Sequence, residues 1–131
     1  MKDEKENQRS YVYMVRCEDE SIYTGITKDV AKRMKEHFFQ TEKGAKYTKS
    51  RKVKTVLMVW EAMNYSSAAR LEYAIKHIPK HKKLRLIESP EEQIKVLFPK
   101  LEEETYISKT EYVMDVVRLF DDKSVDKEGG I

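Results

Sequence analysis

Residues 10–27 read SYVYMVRCEDESIYTGIT, and this stretch decides the fold. The segment 10–17 is aromatic and β-branched without a breaker, and 21–27 has the same character, so each predicts a strand. The polar EDES between them is a short connection, which predicts an antiparallel hairpin. Gly25 interrupts the second strand and indicates either a bulge or a close backbone approach.

Apolar residues at helical spacing predict several helices after this hairpin. Thr27 or Asp29 can cap a helix that ends near position 39, and Ser66 can cap another that ends near position 78. Pro79 then ends that helix or starts the next one, which extends to about position 87. These helices would flank the strands.

The remaining segments complete the predicted order of elements. A continuous apolar run, KTVLMVWEAM at 54–63, predicts a central strand. A capping box at 89–92 predicts a short helix near 90–97, and apolar spacing predicts a last helix near 108–120. We therefore expect an α+β fold, a small three-stranded antiparallel sheet flanked by helices, with a short helical C-terminal extension.

Charge divides the chain into two unequal parts. Residues 1–87 carry 20 Lys/Arg and 11 Asp/Glu, whereas residues 88–131 carry 6 and 12. We expect a disordered leader at 1–9, a domain at 10–88 and an acidic helical extension at 89–131 with a frayed C-terminus. A basic body favours a polyanionic partner, although a solvated surface explains the charge equally well.

Compartment and membrane association follow from what the sequence lacks. Cys17 is the only cysteine, so neither an internal disulfide nor a thiolate zinc cluster can form. No apolar run reaches 18 residues, and the N-terminus has no apolar signal core. We expect a cytoplasmic protein without a membrane segment.

Three ionisable residues lie beside apolar helix faces, where charge is costly. Arg33 and His37 are one turn apart and border an apolar stripe, which an ion pair or a side chain reaching to water would also explain. Glu72 lies on the apolar side of its helix and needs a cation, either a side chain such as Arg33 or a metal ion. Hairpin pairing can also bring Tyr13 near Tyr23.

A basic loop adds a second candidate surface. Residues 43–54, KGAKYTKSRKVK, carry six Lys/Arg and no acidic residue, with Tyr47 in the middle. Such side chains can neutralise phosphates and stack on a base, while the alternative is a solvated lysine loop. His77 and His81 have metal-ligand spacing, but Pro79 lies between them and no third ligand is evident.

Five short motifs occur in order over about residues 10–88: YVY at 11–13, YTG at 23–25, KDVAKRMKEHF at 28–38, EKGAKYT at 42–48 and ARLEYAIK at 69–76. Together they resemble the GIY-YIG nuclease family, and most closely its small single-domain bacterial and viral branch. The sequence departs from the family in two ways. Thr24 stands where the family has isoleucine, and no asparagine follows Asn64, where many members have one after the metal-binding glutamate.

The resemblance implies that a tyrosine and a water molecule attack a phosphodiester with the help of one divalent ion, Mg²⁺ or Mn²⁺. Glu72 would hold the ion, and Arg33 would contact the scissile phosphate and stabilise developing charge. Tyr13 would act as the base or position the water, Tyr23 would assist, and His37 would tune Tyr13 or accept its proton. The neighbouring charges would lower the pKa of Tyr13.

DNA is the expected partner, and Gly25 would let the backbone approach a phosphate. The remaining candidates for substrate binding are Tyr11, Lys46, Tyr47, Lys49, Arg51 and Lys52. We expect a structure-selective or weakly specific endonuclease in DNA repair or recombination. The alternatives are a non-catalytic nucleic-acid-binding module and a protein-interaction domain that docks through its acidic extension. An acidic extension folded over the basic face would damp non-specific binding, and the oligomeric state stays open.

Overall fold

The computed structural model describes residues 8–39 and 52–116. The predicted hairpin forms strands β1 (Ser10–Cys17) and β2 (Ile22–Thr27), which pair antiparallel with Tyr13 opposite Gly25. Alternation along β1 sends Tyr13, Val15 and Cys17 to one face of the sheet, where they are buried. The predicted leader lies outside the described residues except for its last two positions.

Helix α1 (Val30–Phe39) follows directly after the hairpin. Its first turn is capped by Asp29, whose Oδ1 accepts a hydrogen bond from the backbone N–H of Lys32 at 3.1 Å. Val30 and Met34 are buried against the sheet face that carries Tyr13. The Asp29 cap and the buried Val30 and Met34 together fix the rotation of α1 about its own axis. They thereby determine the direction in which its polar residues point.

Strand β3 (Val53–Ala62) pairs antiparallel with β1, so β1 lies between β2 and β3. Helices α2 (Tyr65–Lys76) and α3 (Lys80–Glu88) come next. The cap of α2 is Asn64 rather than the expected Ser66, because the Asn64 side chain accepts a hydrogen bond from the backbone N–H of Ser67 at 2.8 Å.

The C-terminal part adds short elements to the same unit. Helix α4 (Glu92–Leu97) is followed by a 3₁₀ turn (Pro99–Leu101), strand β4 (Tyr106–Ser108), a second 3₁₀ turn (Thr110–Tyr112) and strand β5 (Met114–Asp115). Both short strands pair with β3, so the sheet runs β2-β1-β3-β4 with β5 also beside β3. The α+β fold, an antiparallel sheet flanked by helices, is confirmed, but over the described residues the sheet has five strands instead of the expected three because two short strands add to β3.

Two local expectations in this region are wrong. Residues 106–115 form strands and a 3₁₀ turn instead of the helix expected near 108–120, because the open edge of β3 offers backbone partners. The capping box at 89–92 does not form. The Glu91 carboxylate instead accepts hydrogen bonds from the backbone N–H and the hydroxyl of Ser108, both at 2.9 Å.

The hydrophobic core lies on both faces of the sheet. One cluster packs α1 against the face of Tyr13, and a larger one packs α2, α3 and α4 against the opposite face. Phe98, Leu101 and Tyr106 belong to the larger cluster, so the described part of the extension shares the core of the preceding domain. Within the described ranges, no helix has the length and apolar character needed to cross a bilayer.

Candidate active site

An open cleft of about 320 Å³ lies along β2, the edge strand of the sheet, between α1 and α2. Its walls come from β1, β2 and α1, which are consecutive in the chain, and from α2, which is distant from them in sequence. Its lining residues are Ser10, Tyr13, Tyr23, Gly25, Ile26, Thr27, Lys28, Arg33, Tyr65 and Glu72. The fold thus brings four of the five predicted catalytic and metal-binding side chains to one cavity.

The fifth, His37, lies behind the cleft and contacts Tyr13. Both side chains are fully buried, and the Tyr13 hydroxyl is 2.9 Å from His37 Nε2. Arg33 Nε donates a hydrogen bond to the same hydroxyl at 3.3 Å, and its Nη1 donates to Glu36 at 3.0 Å. The Tyr13 oxygen accepts the hydrogen bond of Arg33, because arginine can only donate, and the direction of the bond between Tyr13 and His37 follows the histidine tautomer.

Burial decides the protonation of this pair. It raises the pKa of Tyr13 well above its ordinary value, although the Arg33 hydrogen bond opposes the shift. Burial, with the Arg33 charge adding to it and Glu36 opposing it, lowers the pKa of His37 to about 4. At neutral pH the pair is a neutral phenol and a neutral imidazole. The expected lowering of the Tyr13 pKa is therefore wrong for these side chains.

Tyr23 completes a cluster of three rings. Its ring centroid is 6.2 Å from that of Tyr13 and 5.9 Å from that of His37, within the range of favourable aromatic contacts. Tyr23 is partly exposed, whereas Tyr13 is buried. Tyr23 is therefore the tyrosine of the cluster that meets solvent in the cleft.

Gly25 provides space for Tyr13. A Cβ at this position would overlap the Tyr13 hydroxyl and would lie 2.6 Å from its Cζ. The β1–β2 register is regular here, so Gly25 marks a close approach and not a bulge. The group that fills the space is the Tyr13 phenol, which corrects the expectation that the missing Cβ makes room for a phosphate.

Glu72 lies at the cleft wall with its side chain about one-quarter exposed. Its Oε2 is 3.1 Å from Lys76 Nζ, one turn further along α2. The same ammonium lies 5.9 Å from the centre of the Tyr23 ring. The cation that the apolar position of Glu72 required is therefore Lys76, not Arg33.

The chemistry of the cleft fits a hard divalent cation. Its possible donors are oxygens: the Glu72 carboxylate and the hydroxyls of Ser10, Tyr23 and Thr27. The Ser10 hydroxyl is buried and has no hydrogen-bond partner among the described residues. Within those residues no cluster of three or more His, Cys, Asp or Glu occurs. One carboxylate completed by waters and substrate oxygens is a donor set suited to Mg²⁺ or Mn²⁺.

The other predicted substrate-binding residues have different locations. Tyr11 packs beside the cluster under α1, and Lys52 is exposed at the start of β3; neither lines the cleft. Lys46, Tyr47, Lys49 and Arg51 lie outside the described residues.

Several residues of the cleft escaped sequence reasoning. Ser10, Lys28, Tyr65 and Lys76 reach it because the sheet edge and α2 come together, which periodicity does not show. The sequence could have indicated Lys76, because it lies four residues after Glu72 on a helix and can form an ion pair with it. No sequence pattern indicated the other three residues.

Comparison with known proteins identifies the family of this chain. A family model of the GIY-YIG catalytic domain matches residues 9–85. A UPF0213 protein of Oceanobacillus iheyensis is 44% identical over 87 residues, which are 66% of this chain and 99% of that protein. A UPF0213 protein of Fusobacterium nucleatum subsp. nucleatum is 49% identical over 85 residues, 65% of this chain and 83% of that protein.

A solved structure is also similar. The solution NMR structure of a UPF0213 protein from Bacillus halodurans has 35% sequence identity and a TM-score of 0.39, over 69% of this chain and 97% of that chain. The family match covers more than half of the chain and includes all five predicted catalytic and metal-binding positions. The chain therefore belongs to the GIY-YIG family and carries its catalytic domain, which is a nuclease domain.

Proposed function

We propose that this protein is a metal-dependent endonuclease that hydrolyses DNA phosphodiester bonds. The observation that carries the proposal is the convergence of Tyr13, Tyr23, Arg33 and Glu72 on one open cleft. Two phenols, a guanidinium and a carboxylate supply groups to place a water molecule, bind a phosphate and hold a cation.

Arg33 and its surroundings support phosphate binding. Its guanidinium lines the cleft and also a neighbouring hollow of about 250 Å³ that contains the exposed Lys28 and Lys32. Burial opposes the charge of Arg33, but the hydrogen bonds to Tyr13 and Glu36 outweigh it and raise its pKa. Arg33 therefore stays charged and is held in place to stabilise negative charge on a phosphate.

The pKa values favour water positioning over a resting phenolate at Tyr13. Because burial raises the pKa of Tyr13 and lowers that of His37 to about 4, transfer of the Tyr13 proton to His37 is unfavourable in the free protein. A water molecule in the cleft would instead be oriented by the partly exposed Tyr23, whose ring contacts that of Tyr13.

Glu72 is the proposed metal-binding residue, and Lys76 must release it for the ion to bind. A bound divalent ion would neutralise phosphate oxygens and make water more acidic. Ser10, Tyr23 and Thr27 would orient the waters that complete its coordination. The small cleft leaves little room for base-reading elements. We therefore propose structure-selective or weakly specific cleavage, in DNA repair or recombination.

Cleavage assays test the proposal directly. Single-stranded, duplex, nicked and branched DNAs would be incubated with Mg²⁺, Mn²⁺ or chelator. Glu72→Gln and Arg33→Ala should each reduce metal-dependent cleavage by at least about 100-fold, which is the loss expected for one charge-stabilising group. Glu92→Gln and Arg85→Ala change exposed residues of the same types outside the cleft and should cleave like the wild type.

Each outcome has a distinct meaning. Cleavage that survives Glu72→Gln or Arg33→Ala in folded protein would reject the proposed site. Salt-sensitive DNA binding by the wild type without metal-dependent cleavage would instead support a non-catalytic binding module.

A further inference from the structure

A second groove lies next to the cleft and is not explained by catalysis at a phosphate. It has a volume of about 820 Å³ and runs between α2 and the turn at 97–101. Phe98 and Leu101 form a largely buried floor, whereas Tyr65 and Tyr73 are 55% and 66% exposed on its α2 wall. The exposed aromatic surface of this groove is therefore tyrosine.

Tyr65 joins the groove to the cleft because its side chain lines both. Along α2, Glu72 lies seven residues after Tyr65, and therefore on the same side of the helix, whereas Tyr73 is turned by about 100° from Glu72 and lines the groove but not the cleft. A strand whose phosphate lies at Glu72 would have its adjacent nucleotides beside these tyrosines.

The Tyr73 ring is held in place by stacking and presents a flat surface on which a base can stack. Its ring stacks on His77 with centroids 4.0 Å apart and planes inclined by 28°. His77 is fixed in turn, because its Nδ1 donates to the backbone carbonyl of Tyr73 at 2.7 Å. A ring already ordered in this way loses little conformational entropy when a ligand stacks on its open side.

Charge determines which part of a nucleotide suits the groove. Its charged lining residues are Arg70 and Lys100, and no carboxylate lines it. Arg70 is bound to Glu104 by two hydrogen bonds of 3.0 and 3.1 Å, and acidic residues 102–104 follow the far wall. The far wall carries Lys100 and is followed by three acidic residues, so its charges oppose one another, whereas Lys76 on the cleft side attracts phosphates. Bases therefore fit the groove and the backbone fits its cleft side.

We propose, given the nuclease function above, that the groove binds unpaired bases of a DNA strand whose scissile phosphate lies in the cleft. Tyr65 and Tyr73 are the stacking surfaces. The substrate class is DNA with an unpaired stretch beside the cleaved bond, since a base within a duplex cannot reach a groove wall.

Binding in chelator tests this without cleavage. The anisotropy of a labelled oligothymidylate and of a blunt duplex of equal length would be measured with the wild type and with variants. Tyr73→Ala and Tyr73→Leu should weaken oligothymidylate binding at least about fivefold, and Tyr73→Trp should retain it, because the contact is aromatic stacking. Duplex affinity should change less than about twofold. Ile107→Ala, an exposed apolar residue on β4, is the control for general surface effects.

Unchanged oligothymidylate affinity in Tyr73→Leu, as expected of a groove that binds a peptide, would overturn the proposal. Equal losses on single-stranded and duplex DNA would do the same. These results leave the nuclease proposal intact if the wild type binds DNA and Glu72-dependent cleavage persists. A wild-type protein that binds neither the oligothymidylate nor the duplex would overturn both proposals.

Discussion

Gly25 shows how one missing Cβ sets the site. The Tyr13 phenol can pack against the backbone of Gly25 only because this residue has no Cβ. Gly25→Ala should therefore force the buried Tyr13 ring to move, with a loss of about 1–3 kcal/mol in the free energy of unfolding and a large loss of cleavage. Urea unfolding measures the first effect.

A double-mutant cycle supplies the control for this prediction. In a Tyr13→Leu background the far end of the phenol is gone, so adding Gly25→Ala should cost much less than it does in the wild type. Equal costs in the two backgrounds would show that the Tyr13 ring is not what Gly25 accommodates.

His37 makes stability depend on pH in a defined window. Its pKa is about 4 in the folded protein because of burial and the Arg33 charge, against about 6.5 when unfolded. The unfolded chain therefore binds more protons between these values. The contribution of neutral His37 to the free energy of unfolding is complete above pH 6.5. It decreases by roughly 3 kcal/mol as the pH falls toward 4.

Urea unfolding at several pH values measures this dependence. His37→Gln should remove most of the slope of stability between pH 6.5 and pH 4. His77→Gln, which changes an exposed histidine, should leave it as in the wild type. A slope of unchanged size in His37→Gln would assign the acid sensitivity to other groups.

Helix α2 combines the metal-binding candidate with its competitor. The Lys76 ammonium holds Glu72 at 3.1 Å, and a divalent cation must displace it. Lys76→Met should therefore tighten Mn²⁺ binding about two- to fivefold, as expected for loss of a partly exposed ion pair. Calorimetric titration without DNA measures this affinity, and Glu72→Gln identifies the site.

Lys83→Met is the matched control for this change. Burial lowers the pKa of Lys83, and the charge of the nearby Lys76 lowers it further. The ion pair of Glu72 is with Lys76 and not with Lys83. An equal gain in Mn²⁺ affinity in Lys83→Met would indicate a general charge effect and not release of Glu72.

The elements differ in how far sequence could predict them. The hairpin was predictable to within one residue, because alternation and a short polar turn are local signals. Residues 106–115 were not, since their strands exist only because β3 offers an open edge, and the apolar spacing over 108–120 imitates that of a helix. The motif spacing predicted the side chains that share the cleft. It could not predict the Tyr13 pKa, which is set by burial, or Tyr65, which is placed by the packing of α2.

At the scale of the whole molecule, the described part of the acidic extension lines the neighbouring groove through its turn at 97–101 but contributes no residue to the cleft. Strands β4 and β5 add to β3, whereas the cleft lies along β2 on the opposite edge of the sheet. The basic loop at 43–51, a surface that such an extension would cover, lies outside the described residues. Residues 117–131 lie outside the described part.

The extension instead completes the core. Its Pro90 carbonyl accepts a hydrogen bond from the buried Trp60 indole at 2.9 Å, and the Tyr106 hydroxyl donates to the Ser67 carbonyl at 2.8 Å. Ending the chain at residue 88 would leave the Trp60 N–H without this partner and expose the cluster under α2. We expect such a fragment to unfold at a much lower temperature than the full chain, or not to fold.

A pair of point variants tests the same prediction in the full-length protein. Phe98 is 8% exposed, so Phe98→Ala should cost about 3–5 kcal/mol, whereas Val96→Ala, at a 66% exposed position, should cost less than about 0.5 kcal/mol. Thermal and urea unfolding would be compared for both variants and for the fragment 1–88. If Phe98→Ala and the fragment were as stable as the full chain, residues 89–116 would be an independent appendage. If both are destabilised, the fold and its cleft depend on sequence beyond the family motif.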